Sequence, residues 1–592
     1  MEHEVFVSKD ELIPEIQGML AERARLGTIS CVDLVDEFEL IYHFEPQEAP
    51  GPLTHVRARV AKGDTWPSIT SIYPSASLAE LEIRDHFDIQ LSGITLDFQG
   101  RFLRSKESPE AALLKPTPYE LTAATRHPAR CSEACPAGID IPRYVRLIGE
   151  DRPADALAVI KQSLPFPGIL GRVCFAPCET PCRQAKQEEP IAVRMLKRFA
   201  YDNTTYEEEV VAEPTGKRVA IIGSGPAGLT AAYYLVKMGH EVAILEALPE
   251  AGGMMRVGIP AYRLPRKVLD EEIELVKQLG AKIRTGAEVS SLEKLFQDGY
   301  QAILVATGAH QGMKMGLEGE DHHKVLECID FLRGVSFGKR PELGNRVAVI
   351  GGGNAAIDAA RSALRIGATD VMMLYRRTRA EMPANASEIE EAISEGVKID
   401  FLVAPRRIMS KNDTVILESV RMKLGAPDAS GRPRPEPIEG SEFQLEVDAI
   451  IAAIGQSPDV PQEFALETGR RNTVIVEAET MATSREGVFA AGDVITGPAS
   501  VVEAVRSAKQ ATISIDRYLG GEGVLPILEL DVKDLTSRQT FIERWARNNQ
   551  RVVMPSLAID ERLQGFDEVE LGLTEEMAIV EGKRCWRCDL EE

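Results

Sequence analysis

Residues 218–246 read RVAIIGSGPAGLTAAYYLVKMGHEVAILE. Residues 219–222 are a short apolar run of the kind buried in a parallel sheet. Gly223, Gly225 and Gly228 follow as G-x-G-x-x-G, with Pro226 and Ala227 inside the turn. Residues 231–236 continue as a helix, and 241–245 form a second strand ending in Glu246. The spacing has a physical reason. Gly223 lets the chain turn sharply, and Gly225 lets backbone N–H groups approach a pyrophosphate. Gly228 lets the helix pack on the strand, with the helix N-terminus facing the phosphates. Glu246 stands where a carboxylate accepts the two hydroxyls of an adenosine ribose. The motif alone is weak evidence, but strand, helix, second strand and terminal acid are all in place.

The chain has 592 residues, room for several domains. Its net charge of -23 argues against nucleic acid or an anionic membrane as partner. No apolar run approaches the ~20 residues of a membrane span. The start, MEHEVFVSKDELIP, lacks a signal-peptide pattern. A cytoplasmic protein is expected. Of nine cysteines, Cys31 and Cys328 stand alone and read as ordinary buried thiols. The others fall in tight groups: Cys131 and Cys135; Cys174, Cys178 and Cys182; Cys585 and Cys588. In a cytosolic redox protein such grouping points to metal rather than disulfides.

A second nucleotide turn begins at Val347 in VAVIGGGNAAIDAARSAL. Gly351, Gly353 and Ala356 make G-x-G-x-x-A, with Asn354 and Ala355 opening the helix. The next strand is 371–375. Where an NAD site places its acid, this chain has Tyr375-Arg376-Arg377 and then Arg379. Guanidinium groups there fit a 2′-phosphate, so NADPH is favoured over NADH. The competing reading is a surface basic cluster.

Three further stretches bear on the first nucleotide site. Gly252-Gly253 leads to Gly258-Ile259-Pro260 and Arg263-Leu264-Pro265, where glycines let backbone run close to a flat ligand. Residues 303–308, ILVATG, end in Thr307 and Gly308, and residues 487–493, GVFAAGD, end in Gly492 and Asp493. Residues 500–511 read as a helix beginning at Ser500. Between 106 and 213, helices are expected at 141–148, 154–163 and 191–201, after a linker at 109–117. The cysteines sit in the turns. Clusters need soft thiolates from several directions, which turns between helices supply. Zinc is the alternative, but the spacings are not those of common zinc ribbons.

Residues 120–525 resemble the glutamate synthase small-subunit family, whose relatives include dihydropyrimidine dehydrogenase and the large subunit of the transhydrogenase Nfn. The resemblance implies FAD along the G-G-x-L-x-x-G-I-P-x-x-R-L-P stretch. It places Asp493 at the ribityl or pyrophosphate region and the helix from Ser500 toward the isoalloxazine, where its dipole favours reduced flavin. The family binds two 4Fe-4S clusters. By resemblance, one uses Cys135, Cys174 and Cys178, with Lys197 where the family has a Gln or Glu ligand. An ammonium is a poor ligand. The other uses Cys131 and Cys182 and lacks the family's first C-x2-C pair; His127-Pro128-Ala129-Arg130 stands upstream instead. Cys585-Trp586-Arg587-Cys588 matches the missing pair in type and spacing. The expectation is that the tail folds back to complete this cluster. A redox-active dithiol, or a separate site shared with a partner chain, are the other readings.

Residues 1–105 carry strand-like segments at 28–34, 37–44 and 54–60 and helices at 9–25 and 77–87, with no nucleophile or phosphate loop. Trp66-Pro67-Ser68-Ile69-Thr70 through Ala76, then Glu80, Glu82, Asp85, Phe87, Ile89 and LDFQGRFL at 96–103, resemble the complex I subunit also found beside group 4 nickel–iron hydrogenases. The usual H-P-D-L-R-R ending is missing. The resemblance implies a docking domain without a cofactor and a hydrogenase- or complex I-like partner.

The expected architecture is multidomain α/β. It comprises a small α+β domain (1–105), a helical iron–sulfur domain (106–213) and an FAD-binding Rossmann-like domain (214–325 and 451–525). An NAD(P)H-binding Rossmann-like domain (326–450) is inserted, and a tail (526–592), helical at 538–548, carries CxxC. The expected function is an NAD(P)H-dependent oxidoreductase subunit passing electrons between NADPH, FAD and one or two 4Fe-4S clusters. Hydride transfer needs no protein acid or base, so no catalytic side chain is named. Glutamate synthase small subunit, a disulfide reductase using the C-terminal pair and an inactive nucleotide-binding scaffold are the alternatives.

Overall fold

Period-two alternation builds the N-terminal sheet. Phe38, Leu40, Tyr42 and Phe44 on one strand and Val56, Ala58 and Val60 on the next share one buried face. In the computed structural model, strands lie in the order His3–Val7, Thr54–Ala61, Glu37–Glu45, Arg25–Asp33. The first pair is parallel and the others antiparallel. Helices Lys9–Ala21 and Ser77–Phe87 supply Leu12, Ile16, Ile83 and Phe87 to the same core. The helix expected over 9–25 ends at Ala21, because Arg23 turns through a φ of 59° and Arg25 already pairs with Glu45. The Trp66 motif is packing chemistry. Trp66 Nε1 donates to the Tyr42 hydroxyl at 3.2 Å. Ser68 Oγ and the Ile69 amide donate to buried Glu80 at 2.5 and 2.8 Å. Burial pushes the Glu80 carboxyl up, and these donors pull it back.

The structure describes residues 3–34, 37–46, 53–95, 119–120, 128–186, 188–206, 208, 212–411, 414–427, 431–526, 535–536 and 550–590. The stretches expected as linker (109–117), LDFQGRFL (96–103) and tail helix (538–548) lie outside these residues, as does His127. The chain divides into two compact units, Met1–Thr122 with Lys533–Trp545, and Ala123–Val532 with Ala546–Glu592.

The second unit contains two parallel sheets. One runs Lys282–Arg284, Glu241–Leu245, Arg218–Ile222, Ala302–Val305, Val488–Ala490. Its order reverses beside Arg218–Ile222, so a crevice opens past the ends of that strand and Ala302–Val305. The other runs Val325–Glu327, Ala449–Ala452, Arg346–Ile350, Asp370–Tyr375, Lys398–Phe401, and reverses beside Arg346–Ile350. This second sheet is inserted within the chain of the first. An antiparallel three-stranded sheet, Val403–Lys411, Thr414–Pro427 and Pro433–Val447, is appended to the insertion.

The thiol-bearing segment is helical, as expected: Ile141–Gly149, Pro153–Lys161 and Val193–Asp202. Besides the short helix Arg130–Glu133 around Cys131, helix Pro167–Val173 was hidden in the sequence by its Pro-Gly start and by Gly171. A Cβ at Gly171 would lie 2.7 Å from Arg198 Cα, so glycine permits the close crossing with Val193–Asp202.

Candidate functional site

At the first turn, Gly223 has a φ of 104°, and a Cβ there would lie 2.4 Å from the Ala306 carbonyl oxygen. A Cβ at Gly228 would lie 2.0 Å from the Gly223 carbonyl, which is the close helix–strand packing the motif requires. Gly225 faces open space. Helix Pro226–Lys237 begins there with no side chain capping its N-terminus. Its first N–H groups therefore remain available to an anion. The Glu246 carboxylate accepts from Ser224 N (2.9 Å), Ser224 Oγ (2.5 Å) and Leu248 N (2.8 Å). One acceptor position is left for a ribose hydroxyl. Ser224 Oγ in turn accepts from Gly252 N at 3.0 Å, drawing the Gly252-Gly253 loop over the turn.

The second turn repeats the pattern. Gly351 has a φ of 148° with a virtual Cβ 2.3 Å from the Ala453 carbonyl, and Gly353 faces open space. Helix Asn354–Arg365 starts there, again without a side-chain cap. The Asn354 side chain accepts from Asn385 N at 3.0 Å, so it shapes the neighbouring loop. Arg376 is exposed at the end of its strand. Arg377 is buried, with Nε donating to the Pro433 carbonyl at 2.8 Å. Arg379 lies outward, paired with Glu390.

Both turns open into one cleft of about 1230 Å³. Ala227, Thr307, Gly308, Gly492, Asp493 and Ser500 line the half beside the first turn, and Ala355, Arg376 and Arg377 the half beside the second. Thr307 Oγ1 is buried without a hydrogen-bond partner, an acceptor-donor waiting for a ligand. Burial pushes the Asp493 carboxyl up to about 6, against a 3.3 Å hydrogen bond from Ala499 N. The Ser500 hydroxyl donates to Glu503 at 2.7 Å and accepts from the Glu503 amide, forming a capping box. The helix it caps, Val501–Tyr518, is longer than expected. Arg263 also borders the cleft, but its guanidinium is held by Asp358 at 2.7 Å and Glu388 at 2.5 Å. It ties the loop that follows Gly252-Gly253 to the inserted sheet's helices. Arg432 and His310 are among the cleft residues missed in the sequence. Arg432 comes from the appended antiparallel sheet, and burial pushes the His310 imidazole below its ordinary range.

Val173 and Phe175, on either side of Cys174, line the same cleft. The thiols form two groups. Burial first, and the Cys135 and Cys174 thiols after it, push Cys178 up, while the Lys197 ammonium pulls it down. Burial, then Cys585, Cys182 and Cys588, push Cys131 up. The tail pair therefore meets Cys131 and Cys182, and the first group is Cys135, Cys174 and Cys178 beside Lys197. Among the described residues no cysteine is in a disulfide, and no three His, Cys, Asp or Glu converge tightly enough for a single metal ion. Spaced soft thiolates suit a polynuclear cluster.

The tail is seated by buried chemistry. Glu581 accepts from the Ala192 amide (2.8 Å), the Val552 amide (3.0 Å) and Arg584 (2.6 Å). Arg551 donates to the Pro190 carbonyl and pairs with Glu179 at 2.7 Å. Gly582 packs on Gly149 so closely that a Cβ would lie 2.6 Å from the Gly149 nitrogen.

Known proteins match each part. Pyridine nucleotide-disulphide oxidoreductase matches residues 217–508. Dihydropyrimidine dehydrogenase domain II, 4Fe-4S cluster, matches 124–209. The respiratory-chain NADH dehydrogenase 30 kDa subunit matches 5–118. The beta subunit of an NADP(+)-dependent formate dehydrogenase from Moorella thermoacetica is 38% identical over 96% of this chain and 82% of its own. The beta subunit of an NADPH-Fe(3+) oxidoreductase from Geobacter sulfurreducens is 40% identical over 78% of this chain and 75% of its own. The small chain of glutamate synthase [NADPH] from Azospirillum brasilense is 33% identical over 67% and 88%.

The chain belongs to the NADPH-dependent flavin and iron–sulfur oxidoreductase subunits. This oxidoreductase subunit uses FAD, NADP(H) and 4Fe-4S chemistry. Its residues fit those groups: open space at Gly225 and Gly353, the unpartnered Thr307 hydroxyl, and two thiol sets, one of which reaches the cleft through Val173 and Phe175 on either side of Cys174.

Proposed function

We infer that this oxidoreductase subunit exchanges electrons between NADPH and a catalytic partner subunit of the formate dehydrogenase or nickel–iron hydrogenase class, on the cytoplasmic side. One observation carries the reading. The same chain joins a nucleotide cleft, bordered by the residues on either side of Cys174, to an N-terminal segment matching the respiratory 30 kDa subunit, and a formate dehydrogenase beta subunit matches 96% of this chain. In support, no helix among the described residues is long and apolar enough to cross a membrane.

Residues 214–325 and 451–525 seat FAD, and 326–450 seat NADP(H). Residues 106–213 with the tail hold clusters, and 1–105 dock the partner. Bound FAD supplies acceptance of a hydride as an electron pair and release of single electrons. The chain supplies position. Glu246 and the Gly223 turn hold the adenosine end, Thr307 and Asp493 the middle of the flavin, and the Val501–Tyr518 helix end the ring. The Gly351 turn and Arg376 would hold NADPH across the same cleft, and hydride transfer would need its nicotinamide brought against the flavin. Cys135, Cys174 and Cys178 hold the cluster nearer the cleft. Cys131, Cys182, Cys585 and Cys588 hold the outer one.

The test is anaerobic purification of the native complex. The expected companion is a catalytic subunit that makes NADPH from formate or from hydrogen. Purification with a glutamine-dependent glutamate synthase large subunit, or with no companion, overturns the reading. The ligand assignment has its own test. Replacing Cys585 and Cys588 by Ser should lower iron per flavin by about half. Unchanged iron with two freely titrating thiols would favour the dithiol instead.

A further inference from the structure

Four lysines stand out in the second unit by their burial or their neighbours. Lys161 and Lys237 share one carboxylate, Glu208, at 2.9 and 2.7 Å. Lys197 and Lys509 have no carboxylate ion pair among the described residues, and both lie beside the inner thiols. Lys197 is only 5% exposed, on helix Val193–Asp202. Lys509 projects from helix Val501–Tyr518, whose first turn borders the cleft. Its Nζ donates to the Ala137 carbonyl at 2.9 Å and the Ser163 carbonyl at 3.1 Å. Ala137 belongs to the same turn as Cys135, whose carbonyl accepts from Gly138 N at 2.9 Å. An ammonium is costly to bury without a counter-charge. Here the thiolates of a bound cluster would supply the counter-charge.

We propose that Lys197 and Lys509 hold the reduction potential of the inner cluster, at Cys135, Cys174 and Cys178, above that of the outer one at Cys131, Cys182, Cys585 and Cys588. This rests on the ligand assignment given under the proposed function. A reduced cluster carries one more negative charge than an oxidised one, so a nearby fixed cation stabilises the reduced form. At the inner site three thiolates face two ammoniums from two different helices; Glu179, also near Cys178, is itself paired with Arg551. At the outer site four thiolates face Arg183 and Arg587, and Arg587 is already matched by Asp589 through two hydrogen bonds of 2.8 and 2.7 Å. The imbalance favours reduction of the inner site. Each transfer moves one electron between sites and breaks no bond. Low-potential electrons entering at the tail therefore run downhill toward the cleft, where Val173 and Phe175 bring the inner site to the flavin side. Lys197 and Lys509 are positioning residues that act through the cluster's charge, not catalytic ones.

The test uses the full chain, loaded with clusters anaerobically and titrated while its electron paramagnetic resonance is followed. The Cys585→Ser, Cys588→Ser double variant identifies the outer signal by its loss. In the unaltered protein the inner signal should develop at the higher potential. Lys197→Met and Lys509→Gln should each shift the inner midpoint downward and leave the outer one in place, while Lys509→Arg should keep the inner value. An inner midpoint at or below the outer one overturns the proposal, and that comparison needs no variant to fold. A Lys509→Arg shift as large as that of Lys509→Gln also overturns it. If iron and sulfide contents do not fall in the double cysteine variant, the ligand assignment fails first and takes this proposal with it.

Discussion

Asp493 shows how a cofactor site costs its own protein stability. Burial raises its carboxyl to about 6 from the ordinary 3.8. When both folded and unfolded chains are protonated, nothing is lost. As pH rises from about 4 through 6, the unfolded chain ionises freely while the folded chain must ionise a buried group. Stability present in acid is therefore lost by pH 7, by about 3 kcal/mol for a shift of this size. Asp493→Asn should stabilise the flavin-free protein at pH 7 by up to that amount, with no gain at pH 4, while its FAD affinity falls. Thermal melts at the two pH values and flavin titration check both halves. At the other end of the cleft, Arg376 is exposed, whereas Arg377 is tied to the Pro433 carbonyl. Arg376→Ala should raise the KM for NADPH about tenfold or more and leave that for NADH nearly unchanged. The pair was legible as a phosphate signal in the sequence. Which arginine is free was not, because Pro433 and Arg432 arrive from a sheet over fifty residues away.

At the scale of elements, the helix leading into Cys174 depends on a distant acid. Glu272, on helix Arg266–Gln278, is buried and accepts from the Gly168 and Ile169 amides at 2.9 and 2.8 Å. These are N-terminal groups of helix Pro167–Val173, which has no capping side chain of its own. Burial pushes Glu272 up to about 7. Glu272→Ala orphans both amides and should cost about 2 kcal/mol by urea denaturation, with weaker retention of iron by the inner site. The strands and helices of both nucleotide sheets were readable because their apolar runs and glycines carry local information. Helix Pro167–Val173 was not, because the acid that starts it and the Arg198 backbone that demands Gly171 are both remote in the chain. The three-stranded sheet on the inserted domain was likewise unread. Its long strands bury only part of one face and carry many charges.

At the scale of the flavin- and thiol-bearing unit, one loop fixes how the two sheets meet. Arg263 joins Asp358 and Glu388, Tyr262 donates to Asp358 at 3.2 Å, and Arg361 and Arg365 lie over the Tyr262 ring at 4.7 and 4.0 Å. Burial raises both carboxyls, and Arg263 is the cation that lowers them most. Arg263→Met leaves buried carboxylates short of charge, a loss of about 3–5 kcal/mol. It should also slow flavin bleaching by NADPH at least about tenfold, a change of ~1.4 kcal/mol in the barrier, with little effect on NADPH affinity. Stopped-flow absorbance separates the two. The sequence placed Arg263 along the flavin; the structure shows its charge committed to holding the domains together.

By itself the sequence determined the chemistry. Glycine spacing, two pairs of strand and helix, the arginines after the second strand and the clustered thiols are local patterns, and each follows from short-range sterics and charge. Tertiary structure decided the partnerships. It brings Cys585 and Cys588 to Cys131 and Cys182, as the family resemblance led one to expect, and it alone put Lys509 beside Cys135 and Arg263 between two carboxylates. Such meetings depend on how helices and loops hundreds of residues apart fill one another's space, and no local pattern encodes that.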